Sequence, residues 1–113
     1  MRKGFLVSSL SLVLIVALFG CVGYAQEKIY IPVLSKGFQH QFWQAVKLGA
    51  EQAAAELGVE ITFEGPESES QVDKQIDMLQ TALSKNPSAI CLAALDSKAV
   101  IPLLEEAQAA NIP

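Results

Sequence analysis

The stretch Leu34-Ser35-Lys36-Gly37-Phe38-Gln39-His40-Gln41-Phe42-Trp43 decides the fold. A β-branched run, Ile29 to Val33, precedes it, and a long alanine-rich helical pattern follows from near Phe42. A strand, a polar turn and a helix N-terminus in that order form the place where open α/β sheets bind ligands. Strand ends and unpaired helix N–H groups converge there.

The strand is expected over Lys28 to Leu34, with Ile29, Ile31 and Val33 on one face. Pro32 cannot donate to a ladder, which assigns it to a sheet edge or a strand end. The helix is expected from about Gln39 to Leu57, where Phe42, Val46, Gly49, Ala50, Ala53 and Leu57 make one stripe of a 3.6-residue period. On that stripe Phe42 is a core residue, and Trp43, one position on, is turned away from it. Gly58 supplies the left-handed position that ends the helix.

Val59-Glu60-Ile61-Thr62-Phe63-Glu64 alternates with period two, the mark of a strand near a sheet edge, and Gly65-Pro66 ends it. A second helix starts around Ser68, capped by its hydroxyl with Gln71 reaching back. Val72, Ile76, Leu79 and Leu83 form its stripe, Gln75 falls to the surface or to packing, and Asn86-Pro87 stops the pattern. Ser88 to Ala94 carries an uninterrupted apolar run, which fits a central strand covered on both faces of a parallel sheet. Asp96 or Ser97 caps a third helix with Val100, Leu104 and Ala107 inward. Pro102 requires that helix to begin one turn later or to distort its first turn. The series is a parallel β-α-β-α-β-α unit of the α/β class with right-handed crossovers, and Asn111-Ile112-Pro113 opens a further strand.

Upstream, Met1-Arg2-Lys3 and the nearly uncharged run Phe5 to Phe19 have the layout of a secretory signal over residues 1–25. The run is shorter than the roughly 20 residues a membrane span needs. Two processing routes compete. Gly23-Tyr24-Ala25 suits cleavage after Ala25, whereas Leu18-Phe19-Gly20-Cys21 resembles a bacterial lipobox, with cleavage before Cys21 and lipidation of its thiol. Membrane contact then comes only through that lipid. Removing Arg2 and Lys3 takes the formal charge of the 113-residue chain from −4 to −6. An acidic exported chain has no footprint for nucleic acid.

Cys91, in the run Ala89-Ile90-Cys91-Leu92-Ala93, is expected to be a small buried hydrophobe. No disulfide framework, metal-ligand spacing, G-x-G-x-x-G, P-loop or G-x-S-x-G elbow occurs, so neither cofactor nor metal is expected. Glu64 and Glu67 flank a turn without a histidine or nucleophile near them in sequence, and no catalytic residue is assigned. The reading excludes an enzyme.

An export signal followed by this series resembles the N-terminal lobe of type 1 periplasmic sugar-binding proteins, the ribose-binding and autoinducer-2-binding group. The likeness rests on Lys36 with Phe42-Trp43, Lys47-x-Gly49-Ala50, Glu56-Leu57-Gly58-Val59, Phe63-Glu64-Gly65-Pro66, Gln75 and Ala94-Leu95-Asp96-Ser97, and covers Ile29 to Pro113. It implies that residues 26–113 are part of a lobe that closes with a second lobe around a sugar or related polyol, for delivery to an ABC permease. A lysine matching Lys36 reaches ligand oxygens in some members. In others an aromatic pair matching Phe42 and Trp43 packs on the sugar, and a polar residue matching His40 hydrogen-bonds it.

The physical logic is independent of the family: rim hydroxyls need donors and acceptors, and C–H faces stack on aromatics. Trp43, off the buried stripe, is the better candidate for stacking, and Asp96 is a helix cap. Ala93 stands where ribose-binding members have an asparagine, and the other ligand residues, hinge and second lobe lie beyond Pro113. The expected function is that of an exported, periplasmic or membrane-facing solute-binding protein, truncated here to its N-terminal part. The alternatives are a binding protein serving a membrane sensor, or a non-functional truncated fragment with an open sheet edge. A cytosolic repressor is disfavoured, because the export signal occupies the place of a DNA-binding headpiece.

Overall fold

The computed structural model describes residues 25–113. The export segment and the Cys21 lipobox concern residues 1–24, outside the described residues. The element order is β1 (Tyr30–Leu34), α1 (Gln41–Leu57), β2 (Glu60–Glu64), α2 (Val72–Ser84), β3 (Cys91–Leu92) and α3 (Ile101–Ala109). The strands form one parallel sheet in the order β2-β1-β3, with Val33 paired to Phe63 on one side and to Cys91 on the other. This is the parallel β-α-β-α-β-α arrangement expected.

Pro32 is neither at an edge nor at a strand end. It sits buried in the middle of the central strand. The backbone explains how this is tolerated. Ser88 N–H donates to the Tyr30 carbonyl and Ala93 N–H to the Leu34 carbonyl, so even-numbered residues of β1 face β3. By the period-two alternation Pro32 faces β3 as well, and the carbonyl opposite receives no donor from it. The lost bond is on the side where pairing is brief: β3 has two residues, against the seven of the expected Ser88–Ala94 run. Among the described strands β1 is the central one and β3 lies beside it. On its other flank Ile90 N–H donates to the Pro113 carbonyl at 2.9 Å.

The core lies on one face of the sheet. Leu34, Leu79, Ala82, Val100 and Leu103 are buried together, with Ile76, Leu83, Ile90, Leu92 and Ala94 packed against them. Burying a side chain of leucine size contributes about 1.5–3 kcal/mol, so Leu34 and Leu79, at 1% and 0% exposure, anchor α2 to β1. The stripe expected for α2 is present. In α3 the inward residue is Leu103, whereas Leu104 is exposed. The regular helix starts at Ile101, one turn after Asp96, which puts Pro102 in its first turn, where a missing N–H costs nothing.

The opposite face carries α1, which is turned by one residue from the expected stripe. Trp43, Val46 and Ala50 are half-buried and Ala54 is buried, while Phe42, Gly49, Ala53 and Leu57 are exposed. An alanine-rich helix has little bulk to fix its rotation. The large indole decides it, held by Trp43 Nε1–H donating to Glu69 Oε1 at 3.1 Å. Gly58 ends α1 at φ +67°, as expected. Helix α2 begins at Val72, later than Ser68. Gln71 Oε1 does reach back to Ser68 N–H at 3.2 Å, but the Ser68 hydroxyl bonds Ser70 instead of capping.

Because α2 and α3 pack on the core face and α1 packs mainly against β2, Cys91 is exposed, not buried. The expectation that β3 is covered on both faces therefore fails among the described residues. An apolar recess of about 210 Å³ opens there, lined by Val33, Trp43, Val46, Phe63, Cys91 and Ala93 among others. No helix among the described residues is long and apolar enough to cross a membrane.

Candidate functional site

The candidate site is the set of loops leaving the carboxyl ends of the three strands: Ser35–His40 after β1, Gly65–Gln71 after β2 and Ala93–Val100 after β3. In the order β2-β1-β3 the first connection leads to one side of β1 and the second crosses to the other. The crevice of such a sheet therefore opens between the ends of β1 and β3.

Ser35 pins the first loop to the second. It is buried, its N–H donates to the Glu64 carbonyl at 2.8 Å, and its hydroxyl lies 3.2 Å from the carbonyls of both Glu64 and Gly37. Gly65 makes this approach possible, since a Cβ there would stand 2.2 Å from Ser35 Oγ. Farther out, Phe38 N–H donates to the Pro66 carbonyl at 3.0 Å, and the Trp43–Glu69 bond closes the seam. Gly37 is buried against Glu69 and Trp43.

On this pinned loop the expected site residues take different roles. Lys36 is half-buried, and the ion pairs among the described residues, Lys28–Glu60 and Lys47–Glu51, leave it unpaired. His40 is the N-cap of α1, its Nδ1 accepting from Phe42 N–H at 3.1 Å. With Nδ1 as acceptor, the neutral imidazole carries its proton on Nε2, which is left as a donor. Phe42, expected in the core, is 60% exposed. Trp43, expected to be the turned-out ring, is half-buried and packs edge-on against Phe42 with centroids 4.9 Å apart. The two aromatics have exchanged roles relative to the sequence reading. One turn of an almost featureless stripe gave too little signal to set the rotation of α1.

Two further residues belong to the site. Phe38 is part-exposed at the loop tip, with Lys47 Nζ 5.5 Å from its ring centroid and its carbonyl bonded by Gln44 Nε2. Gln75, expected at the surface or in packing, is 1% exposed. Its Nε2 donates to the carbonyls of Ser35 and Ala93, both at 2.9 Å, and its Oε1 accepts from Leu95 N–H at 2.8 Å. Its position three residues after Val72 and four before Leu79, inside the apolar stripe, was the signal for burial. On the third loop Asp96 Oδ1 accepts from Lys98 N–H and Ala99 N–H at 2.8 and 2.9 Å, which caps the turn before α3 and not the helix itself, whose N-cap is Val100 without a side-chain bond. These two bonds, Ala99 first, hold its carboxyl below the usual value of 3.8.

The model of the periplasmic binding protein domain matches residues 31–113. An ABC transporter, LacI family transcriptional regulator from Brachyspira murdochii, is 45% identical over 76% of this chain and 27% of its own length, with a TM-score of 0.72. A carbohydrate transporter solute-binding protein from Agrobacterium radiobacter, solved in complex with D-arabinose, is 30% identical over 79% of this chain and 30% of its own, at 0.72. An ABC transporter periplasmic solute-binding protein from Actinobacillus succinogenes with bound D-allose is 26% identical over 76% and 30%, also at 0.72. The chain thus spans less than a third of the length of these structures. A family match over residues 31–113, with relatives that share the fold at a TM-score of 0.72, leads to one conclusion: the chain belongs to the periplasmic binding protein family, as the opening β-α-β-α-β-α portion of its N-terminal lobe.

Proposed function

We propose that the chain is the N-terminal part of an exported solute-binding protein that encloses a sugar or related polyol between two lobes and delivers it to an ABC permease. The observation that carries this reading is the Ser35–His40 loop. Its backbone is pinned on two sides, yet it presents an ammonium at Lys36, an Nε2–H donor at His40 and an exposed ring at Phe42. A sugar needs that combination, since its rim hydroxyls take directed hydrogen bonds and its C–H faces lie against an aromatic.

In this reading Lys36 and His40 donate to ligand oxygens and Phe42 supplies the stacking face. Trp43 supports Phe42 from behind and contributes at most an edge. Closure follows because only the closed state touches the ligand from both lobes, so the ligand shifts the population toward it. The apolar recess beside Cys91 supports a larger protein in which further chain covers β3. Residues 1–25 serve as the export signal, processed after Ala25 or before a lipidated Cys21. The proposed role is transport, which the family match supports.

Relatives solved with D-arabinose and D-allose support the ligand class. The test is calorimetric titration of pentoses and hexoses, beginning with those two, into the complete protein read past Pro113. Saturable binding that Phe42→Ala weakens at least tenfold is the expected result. Binding untouched by both Phe42→Ala and Lys36→Ala would show that the ligand lies elsewhere.

A further inference from the structure

We propose that Gln75 is a positioning residue: it sets the spacing between the two loops that wall the ligand crevice, without itself touching ligand. Where parallel strands diverge, their last carbonyls lose ladder partners, and in a buried place this is costly. The Gln75 amide replaces those partners at the ends of β1 and β3. Both Nε2 hydrogens are used, one on Ser35 and one on Ala93, and Oε1 takes the Leu95 N–H. No other side chain reproduces this set. Glutamate lacks the donors, leucine lacks all polar groups, and asparagine is shorter by one methylene.

The geometry gives Gln75 a reach beyond its own bonds. Ser35 is the residue that ties the first loop to Glu64 and fits against Gly65, and the same seam continues through Phe38–Pro66 to Trp43–Glu69. Displacing the Ser35 carbonyl therefore moves the loop that carries Lys36, His40 and Phe42. The Ala93–Leu95 clamp fixes the facing wall at the same time. As far as ligand is concerned, the inference rests on the sugar-binding reading above; its structural half does not.

Trp43 is the one tryptophan of residues 1–113, so the emission of this 113-residue chain reports the loop directly. Gln75→Glu and Gln75→Leu are compared with the unaltered full chain by Trp43 emission and acrylamide quenching, alongside denaturant unfolding. At pH 7.5 both variants, still folding cooperatively, are expected to show red-shifted emission and roughly twofold stronger quenching. At pH 5 the introduced carboxyl of Gln75→Glu, its pKa raised by burial, takes up a proton and donates to one carbonyl. Its emission then returns part of the way, while Gln75→Leu does not change. The unaltered chain, taken through the same pH change, is the control for effects that do not involve residue 75.

A folded Gln75→Glu variant with native Trp43 behaviour at pH 7.5 would overturn the proposal, as would identical pH profiles for the two variants. Amide exchange on the unaltered chain decides the matter even if neither variant folds. The Leu95 N–H is expected to be protected, and exchange as fast as that of an exposed loop amide would refute the clamp. With D-arabinose or D-allose, whichever the complete unaltered protein binds, Kd is expected to rise at least tenfold in Gln75→Glu at pH 7.5 and to recover at pH 5. If the unaltered protein binds neither, the sugar reading suffers, and the Trp43 and Leu95 readouts still decide the role of Gln75.

Discussion

Replacing Gly65 by alanine places a Cβ 2.2 Å from Ser35 Oγ, 3.2 Å from the Ser35 carbonyl oxygen and 3.4 Å from Ser35 Cβ. The first distance is impossible, so something must move. The strand backbone is held by the Ser35–Glu64 bond, which leaves the hydroxyl to swing away from the carbonyls of Gly37 and Glu64. Overpacking a buried site costs about 1–3 kcal/mol. Losing the hydroxyl's bonds adds about 1. Allowing for partial relaxation, Gly65→Ala is expected to cost about 2–3 kcal/mol. Denaturant unfolding reads this as a lower midpoint at unchanged slope. The decisive arm is the cycle with Ser35→Ala, which removes the Oγ and keeps only the two longer contacts. In that background Gly65→Ala should cost less than about 1 kcal/mol, a coupling of about 1–2 kcal/mol between touching residues. A single variant within about 0.5 kcal/mol of the unaltered chain, or a cost that is the same in both backgrounds, would refute the reasoning.

Other outcomes follow from the same geometry. Phe42→Ala should leave unfolding nearly unchanged, because the ring is exposed, whereas Trp43→Ala should cost about 2–3 kcal/mol, somewhat below the range for a fully buried ring; the reverse order in denaturant melts would restore the sequence-based stripe. Two glycines give opposite signs. Gly49→Ala, in mid-helix with open space at its Cβ, should stabilise by about 0.5–1 kcal/mol. Gly58→Ala, equally uncrowded but at φ +67°, should destabilise by about 1 kcal/mol through backbone strain alone. Asp96 has a folded pKa below its unfolded value, so its contribution is present above about pH 4 and is lost as pH falls through the folded value. An NMR titration should place the carboxyl below 3.8, and Asp96→Asn should flatten the acid limb of stability.

Most of the fold was legible because each element carries its own local signal. Gly58 fixed one helix end, Asn86-Pro87 another, and the stripe Val72, Ile76, Leu79, Leu83 appears in the structure as read. What was not legible depended on contacts between distant residues. The burial of Gln75 depends on carbonyls 40 and 18 residues away, Ser35 and Ala93. The rotation of α1 depends on Glu69, 26 residues from Trp43. Pro32 violates the edge rule because its missing N–H faces a strand only two residues long, a compensation that no local pattern displays. The turn after the first strand and the helix start that follows it were legible, since strand, turn and cap are local features. Which of its aromatics faces outward was not.

The most direct test of the sugar-binding account is calorimetric titration of D-arabinose and D-allose into the complete protein, with Phe42→Ala and Lys36→Ala in parallel. The expected result is saturable binding of a pentose or hexose that weakens at least tenfold in each variant while both unfold at the midpoint of the unaltered protein. Binding of equal strength in all three proteins, or no binding of any pentose or hexose by a folded complete protein, would contradict it.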